Sequence, residues 1–584
     1  MTNVLFLILI PLIFAFISLL INQKLQKYFV IFGVLLVVLA SIDIYYHQLL
    51  FSFVFNEYIH SIIKILDVIL LFFFLYRGFI EKNKLVSIFA SIQIVIFSII
   101  LLLPTTNNSY DLIIDNIAMT MFLVINIVGG IIIIYSLEYI KTENFSNFKK
   151  NSFISLLFLF LGVMNLLVSA NSLEIFFFCF ELTTLFSYLL IRYRLDNTAK
   201  ENALRALWMN QIGGVAILVS LLMAILLYDT IFIDKILNIG DDLFLLIVAL
   251  LALAAFVKGA SNPFQSWLLG AMVAPTPVSA ILHSATMVKI APYLILKIAP
   301  AFSPFLSLSI TLFGAFVFMV ASLMALNKDF FKEILGLSTI ALLGLMISVA
   351  AIQSHKAVEV CLMLIVFHAI SKALLFMQAG ILEKQFHLKN LSDINHLISH
   401  SKLLVFFILV GFASLTLPPF GAFFGKFFSI ELFISLINEN VLYIFPLVCI
   451  LFGTVFLTIL YFKVATKLLT KLNDTYETTK ILPLYKYTSF ALVFLLICGL
   501  ILNFDFESLG IFEVSLPIAL ILFFGLFWYF SRFIKANIIK EYNCGEKDEF
   551  ENSAFYIELK PIILDAIKYI SIGLLVIMIV GSMI

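Results

Sequence analysis

Seven ionisable side chains stand inside long apolar stretches of this sequence, and their types are those that hold and pass protons. Glu181 lies in IFFFCFELTTLFSYLLI (175–191), far from any other charge. Lys258 ends the run LLALAAFVK and is followed at once by Gly259, Ser261, Asn262 and Pro263. His283 and Lys289 close PTPVSAILHSATMVK, behind Pro275 and Pro277. His368 and Lys372 are four apart in VFHAISKALLFM, on one face of a helix. Lys426 follows Pro418 and Pro419 in LPPFGAFFGKFF. A charge at the centre of a bilayer costs at least ~2.5–3.5 kcal/mol, so such groups are kept for a use, with an internal partner or water. A lysine out of water is penalised in its charged form, and a nearby carboxylate restores that form. Joining or separating the two therefore switches a lysine between holding and releasing a proton, while histidine titrates near neutrality unaided. The expected device is a relay: Glu181 and Lys258 as a modulated pair, His283 and Lys289 as the link to the centre, then His368, Lys372 and Lys426, with water in the gaps. Each residue also admits an ordinary role: a permanently protonated Glu181, a Lys258 snorkelling to the interface, a packed His283, a helix-end His368–Lys372 pair, a loop Lys426.

These residues need membrane helices to position them, and the composition supplies little else. The chain has 584 residues, 63% hydrophobic and only 12% charged, about half the charge of a water-soluble domain. Its net charge of +1 argues against a nucleic-acid partner. Five scattered cysteines (Cys179, Cys361, Cys449, Cys498, Cys544) form no Cys-x-x-Cys, so no cofactor is expected on this chain. Apolar stretches of spanning length are predicted near 3–21, 28–46, 58–76, 86–103, 112–136, 152–170, 173–191, 207–227, 243–257, 264–283, 285–299, 305–326, 334–352, 358–380, 403–417, 428–450, 451–469, 487–502, 515–531 and 562–583. Some are halves of broken helices, giving 16–19 transmembrane helices in an all-α polytopic protein. The first stretch lacks the flanks of a signal peptide and is read as a membrane helix. Lysine and arginine recur in alternate connections (Lys24 and Lys27; Arg77, Lys82 and Lys84; Lys141, Lys149 and Lys150; Arg192, Arg194, Lys200 and Arg205), which puts the amino terminus outside. Helix breaks at Pro263, Pro275, Pro277, Pro418 and Pro419 are tolerated at depth only where backbone groups line a polar cavity or are buried in protein. A lysine beside a break occurs twice, about 165 residues apart, which suggests an internal duplication.

The run KGASNPFQSWLLGAMVAPTPVSAILHSATMVK (258–289), with FELTTLFSYLLI (180–191), FHAISKALLF (367–376) and LPPFGAFFGKFF (417–428), resembles the antiporter-like proton-translocating subunits of respiratory complex I, Mrp cation/proton antiporters and energy-converting membrane-bound nickel–iron hydrogenases. The resemblance covers roughly residues 110–450 and implies two inverted five-helix repeats, each with a broken helix. It assigns proton-handling roles to Glu181, Lys258, His283, His368, Lys372 and Lys426. Lys289 after HSATMV looks more like the Mrp and hydrogenase members, and YNCGEKDEFENSAFYIELKP (542–561) is similar to the tail of hydrogenase-4 and formate-hydrogenlyase subunits. There are departures. Leu364 stands where many relatives have a second histidine, and Gln211 and Gly214 replace an arginine and an aspartate. The stretches 58–76 and 86–103 are inserted before the matching region. Residues 532–560, broken by Gly545 and an acidic cluster, are too short for a long lateral helix.

The expected organisation is amino-terminal helices over 1–110, an antiporter-like core over 111–450, and carboxy-terminal helices over 451–584 with a polar connector at 532–560. The expected function is a proton- or sodium-translocating subunit of a redox-driven complex in a prokaryotic cytoplasmic membrane, of hydrogenase type first, with complex I and Mrp antiporters as alternatives. Its partners would be other membrane and peripheral subunits carrying iron–sulfur clusters with nickel–iron or flavin centres. A stand-alone cation/proton antiporter and a passive scaffold are the competing classes, and lysines at both breaks weigh against the scaffold.

Overall fold

The structure, a computed structural model, describes residues 2–104, 109–239, 242–394, 397–418, 420–469, 480–502 and 559–583. Pro419, the expected helix at 515–531 and nearly all of the tail 532–561 lie outside the described residues. The long helices are α1 (Thr2–Leu20), α2 (Gln23–Tyr46), α3 (Glu57–Ile80), α4 (Lys84–Leu102), α5 (Asn116–Lys141), α6 (Asn147–Ser169), α7 (Leu173–Ile191), α8 (Asn197–Tyr228), α9 (Asp242–Lys258), α10 (Thr276–Ser284), α11 (Ile290–Ile298), α12 (Pro304–Leu326), α13 (Phe331–Ala350), α14 (His355–Ile381), α15 (Lys402–Thr416), α16 (Gly421–Ile437), α17 (Ile444–Leu469), α18 (Pro483–Leu502) and α19 (Pro561–Gly581). Among the described residues fourteen helices are long and apolar enough to cross a membrane, and shorter apolar ones occupy Phe6–Leu20, Leu243–Lys258 and Pro483–Gly499. The chain is an all-α polytopic membrane protein.

Short polar caps start the helices where the apolar runs begin. The side chains of Asn56, Asn83, Asp115 and Asp196 accept hydrogen bonds from the backbone N–H of Ile59, Val86, Ala118 and Ala199, satisfying donors a helix start leaves open. The expected 112–136 span starts later than its apolar run. Leu112–Ile114 instead forms β2, antiparallel to β1 (Phe51–Phe53), with Phe51 opposite Ile114. The expected boundary between 428–450 and 451–469 also moves. Nothing breaks a helix at 450, whereas Asn440 caps a new turn by accepting from Leu442 N–H at 3.0 Å, so α16 ends at Ile437 and α17 runs to Leu469.

The inserted stretches are the hairpin α3–α4, and it is docked on the core. α4 packs along α8, and α3 lies against α7. At one end Lys64 meets Glu174 at 3.4 Å. At the other, Arg77 Nε donates to Tyr188 Oη at 2.9 Å. Lys64 to Arg77 is thirteen residues and Glu174 to Tyr188 fourteen, so the two helices run parallel and in register. The connection after α3 closes the hairpin on the core with one carboxylate: Glu81 is bound by Arg77 at 2.5 Å, Lys200 at 2.5 Å and Arg192 at 3.0 Å.

Burial pushes the Glu81 carboxyl up, but hydrogen bonds from Lys200 and Arg77 outweigh it and hold the group below the usual carboxylate range. A carboxyl lowered by folding adds stability that is present above its unfolded value and lost as pH falls through the folded one. Glu81→Gln is therefore expected to cost about 1 kcal/mol. Thermal unfolding of the detergent-solubilised protein checks it: the variant melts lower at pH 7, and the difference closes as pH falls below the ordinary glutamate range.

Candidate functional site

Glu181 and Lys258 come from α7 and the carboxy-terminal end of α9, and both are fully buried. α9 stops at Lys258 because the chain turns through Gly259, the positive-φ residue Ala260 and Pro263 before a short helical turn at Ser266–Gly270. The end of a helix is electronegative, a favourable seat for an ammonium group. Lys258 Nζ donates to Phe180 O at 3.0 Å and to Thr184 Oγ1 at 3.0 Å, and lies 3.9 Å from the centre of the Phe180 ring. Glu181 and Lys258 are electrostatic neighbours without a direct ion-pair contact. Lys258 is bound one turn away from the carboxylate on the same helix, and the Thr184 hydroxyl that accepts from it donates in turn to Phe180 O at 3.1 Å. Glu181 Oε1 accepts from Gln93 Nε2 of α4 at 2.8 Å, while Oε2 has no protein partner. Gly214 of α8 leaves room for both: a Cβ there would collide with Glu181 Oε1 and Gln93 Nε2. The aspartate-to-glycine departure thus makes space for the inserted hairpin.

Past the break, α10 and α11 are separated by an unwound segment that ends at Lys289. Lys289 Nζ contacts His368 Nδ1 of α14. His283 packs against Phe376 with ring planes tilted at 35° and centres 4.7 Å apart, and both its ring nitrogens are unpartnered among the described residues. Lys289 and Lys372 both act electrostatically on it. His368 and Lys372 do not form the helix-end pair of the ordinary reading. They share a face of α14 but reach different neighbours: Lys372 Nζ donates to Leu335 O at 3.1 Å and Ser338 Oγ at 2.5 Å on α13, while His368 turns to the unwound segment. Lys426, on α16 past the second break, is buried, and its Nζ has no partner among the described residues. α16 reaches α14 closely because it carries Gly421 against the Phe367 ring and Gly425 against Leu364. The leucine that departs from the histidine pattern is the surface on which the Lys426 turn packs.

The structure thus places Lys258 against the turn of α7 that carries Glu181, sets Lys289 with His368 beside His283 and Lys372, and leaves Lys426 apart beyond them. Four contributors were missed from the sequence: Gln93, Thr184, Ser338 and Asp67. Gln93 in IFASIQIVIF and Asp67 in KILDVILLFFF are polar residues in apolar runs, the same signal that marked Glu181. Thr184 and Ser338 had none, because hydroxyl residues are common in membrane helices. The helix ends beside Arg194 open on a cavity of about 600 Å³, lined among others by Arg194, Arg205, Ser266, Met272, Lys332 and Glu383. Glu383 ties its wall together, accepting from Lys332 at 2.6 Å, Thr276 at 2.9 Å and Arg194 at 3.3 Å.

A polytopic bundle with buried ionisable groups at two helix breaks is the arrangement to set beside known membrane proteins. Residues 170–453 match the family described as NADH:quinone oxidoreductase/Mrp antiporter, transmembrane, and residues 103–149 match the complex I chain 5 amino terminus. The chain is similar to this antiporter-like subunit family over those residues. It is 29% identical over 383 residues to a Na(+)/H(+) antiporter subunit of Staphylococcus haemolyticus, covering 61% of this chain and 47% of that protein. It is 32% identical over 348 residues to the corresponding Na(+)/H(+) antiporter subunit of Alkalihalophilus pseudofirmus, covering 55% and 43%. The chain spans less than half the length of these curated relatives. Its fold matches a chain of the membrane-bound sulfane sulfur reductase, an archaeal respiratory membrane complex, with a TM-score of 0.66 at 18% identity over 85% of this chain and 94% of that one. The helices and the bacterial relatives are those of a multi-pass protein of a prokaryotic cytoplasmic membrane.

Thr184→Val keeps shape and removes the hydroxyl that accepts from Lys258. Losing a hydrogen bond to a charged group costs ~1.5–3 kcal/mol, so the ion-transport rate in membrane vesicles is expected to drop roughly tenfold or more, with the amount of assembled protein unchanged. Thr184→Ser should restore it.

Proposed function

We propose that this chain is the ion-translocating subunit of a multi-subunit cation/proton antiporter of Mrp type, exchanging protons for sodium or a similar cation. The observation that carries it is the arrangement Glu181–Thr184–Lys258 at one break, continued by His283, Lys289 and His368 to Lys372, in a chain whose bacterial relatives are Na(+)/H(+) antiporter subunits. The hydrogenase reading, placed first from the sequence, drew on the tail 542–561, and the relatives favour the antiporter over it.

In this mechanism Lys258 holds its proton while Thr184 and the Phe180 carbonyl support the ammonium. Approach of a charged Glu181 favours that state, and its neutralisation releases the proton toward His283. Lys289 and His368 exchange a proton along their contact. Lys372 passes it on beside Ser338, and Lys426 is the far acceptor. The cavity beside Arg194, Lys332 and Glu383 gives water an approach to this row from the side where the positively charged connections lie. The partners are the remaining membrane subunits of the antiporter.

Glu181→Gln and Lys258→Met test this in everted vesicles from cells that make the chain with its partner subunits. Sodium-driven proton movement, read with a pH-sensitive dye, is expected to vanish in both while the complex still assembles. Undiminished exchange in either variant defeats the relay. Nickel–iron hydrogenase subunits co-purifying in mild detergent would return the chain to a redox-driven complex.

A further inference from the structure

The hairpin α3–α4 lies outside the residues that match the family and carries polar groups the relay leaves unused. We propose that it is a one-sided proton inlet, leading from the outer face through the Lys64–Glu174 contact to Asp67 and on to Glu181. This rests on the relay proposed above.

Asp67 is fully buried, and neither carboxyl oxygen has a partner among the described residues. An acid kept in that state on a membrane helix marks an ion pathway unless it is paired. Its electrostatic neighbours are Glu174 and Glu181 of α7. The register explains why. With Lys64 level with Glu174, Asp67 sits one turn further in, ~4.5 Å along the axis, and Glu181 two turns in, ~10.5 Å. Asp67 therefore occupies the level between the two glutamates, ~6 Å short of Glu181 along the axis, and the proposed path crosses that interval on water. Toward the outer end the polar groups continue. His60 Nε2 contacts Asp111 Oδ2 at 3.2 Å, and that oxygen also accepts from Phe55 N–H at 2.7 Å, in the loop that joins α2 to α3. Lys64 is about a third exposed, so it links this mouth to the buried Glu174.

Toward the cytoplasmic end the same face of α3 is closed. The buried residues after Asp67 are Leu70, Leu71, Phe74 and Gly78. The polar run thus opens on one side only and stops at the level of Glu181, where Gln93 from the same hairpin holds the carboxylate. An alternating device needs this asymmetry, because a path open at both ends would leak.

The test uses everted vesicles carrying the whole complex. Asp67→Asn is expected to slow cation-driven proton movement roughly tenfold or more, as removal of a proton-transfer group does, and Asp67→Glu to recover most of it. Full activity in both Asp67→Asn and Asp67→Leu, with Glu181→Gln inactive, overturns the inlet and leaves the relay standing. Full activity in Glu181→Gln as well overturns both. A second measurement does not depend on activity: Asp67→Cys should react with a small cationic methanethiosulfonate applied from the outer face, above the background of the parent chain. Reaction from the cytoplasmic face alone, or from neither, overturns the proposal.

Discussion

The bond on which the rest depends is the one that keeps Lys258 charged or lets it discharge in a dry interior. An ammonium group buried without partners is one of the most unfavourable groups a membrane protein can hold. The helix break after Lys258 and the Phe180 carbonyl with the Thr184 hydroxyl are the physical answer to that problem. The support is neutral, so it stabilises the ammonium only in part. In the proposed relay a carboxylate one turn away, itself held by Gln93, supplies a variable remainder. Had Glu181 closed on Lys258 as a fixed ion pair, both charges would be locked and neither would serve as a switch.

The same logic explains the hairpin α3–α4. Gly214 and Gln211 on α8 do not fill the space beside Glu181 with charged side chains. Gln93 enters that space from α4, donating to the Glu181 carboxylate and lying 3.3 Å from Gln211 O. The hairpin is pinned at the cytoplasmic end by Glu81 with its three cations and at the outer end by Lys64 with Glu174. A part that looks like an insertion in the sequence is therefore a wall of the site.

How much was legible in advance follows from the physics of each signal. Lipid imposes a length and a hydropathy on every span, so the helices and the breaks at Lys258 and before Lys426 could be read directly. Boundaries set by single caps could not: β2 takes the start of one apolar run, and Asn440 places the α16–α17 junction where composition shows nothing special. Buried charges announced Glu181, Lys258, Lys289, Lys372 and Lys426, because each is conspicuous against its neighbours. Pairing was the illegible part. Spacing puts His368 and Lys372 on one face, but only the tertiary packing sends one to Lys289 and the other to Ser338. Hydroxyl and amide partners carry no such mark, so Thr184 and Gln93 emerge only from the structure.

Infrared difference spectroscopy on the intact complex, comparing the energised with the resting state in light and heavy water, addresses the central claim without perturbing the site. A carboxylic-acid carbonyl band should appear or vanish with energisation, shift on deuteration, and be absent from the Glu181→Gln protein. Full transport with no exchangeable carboxyl band, or a band that persists unchanged in that variant, would contradict the account.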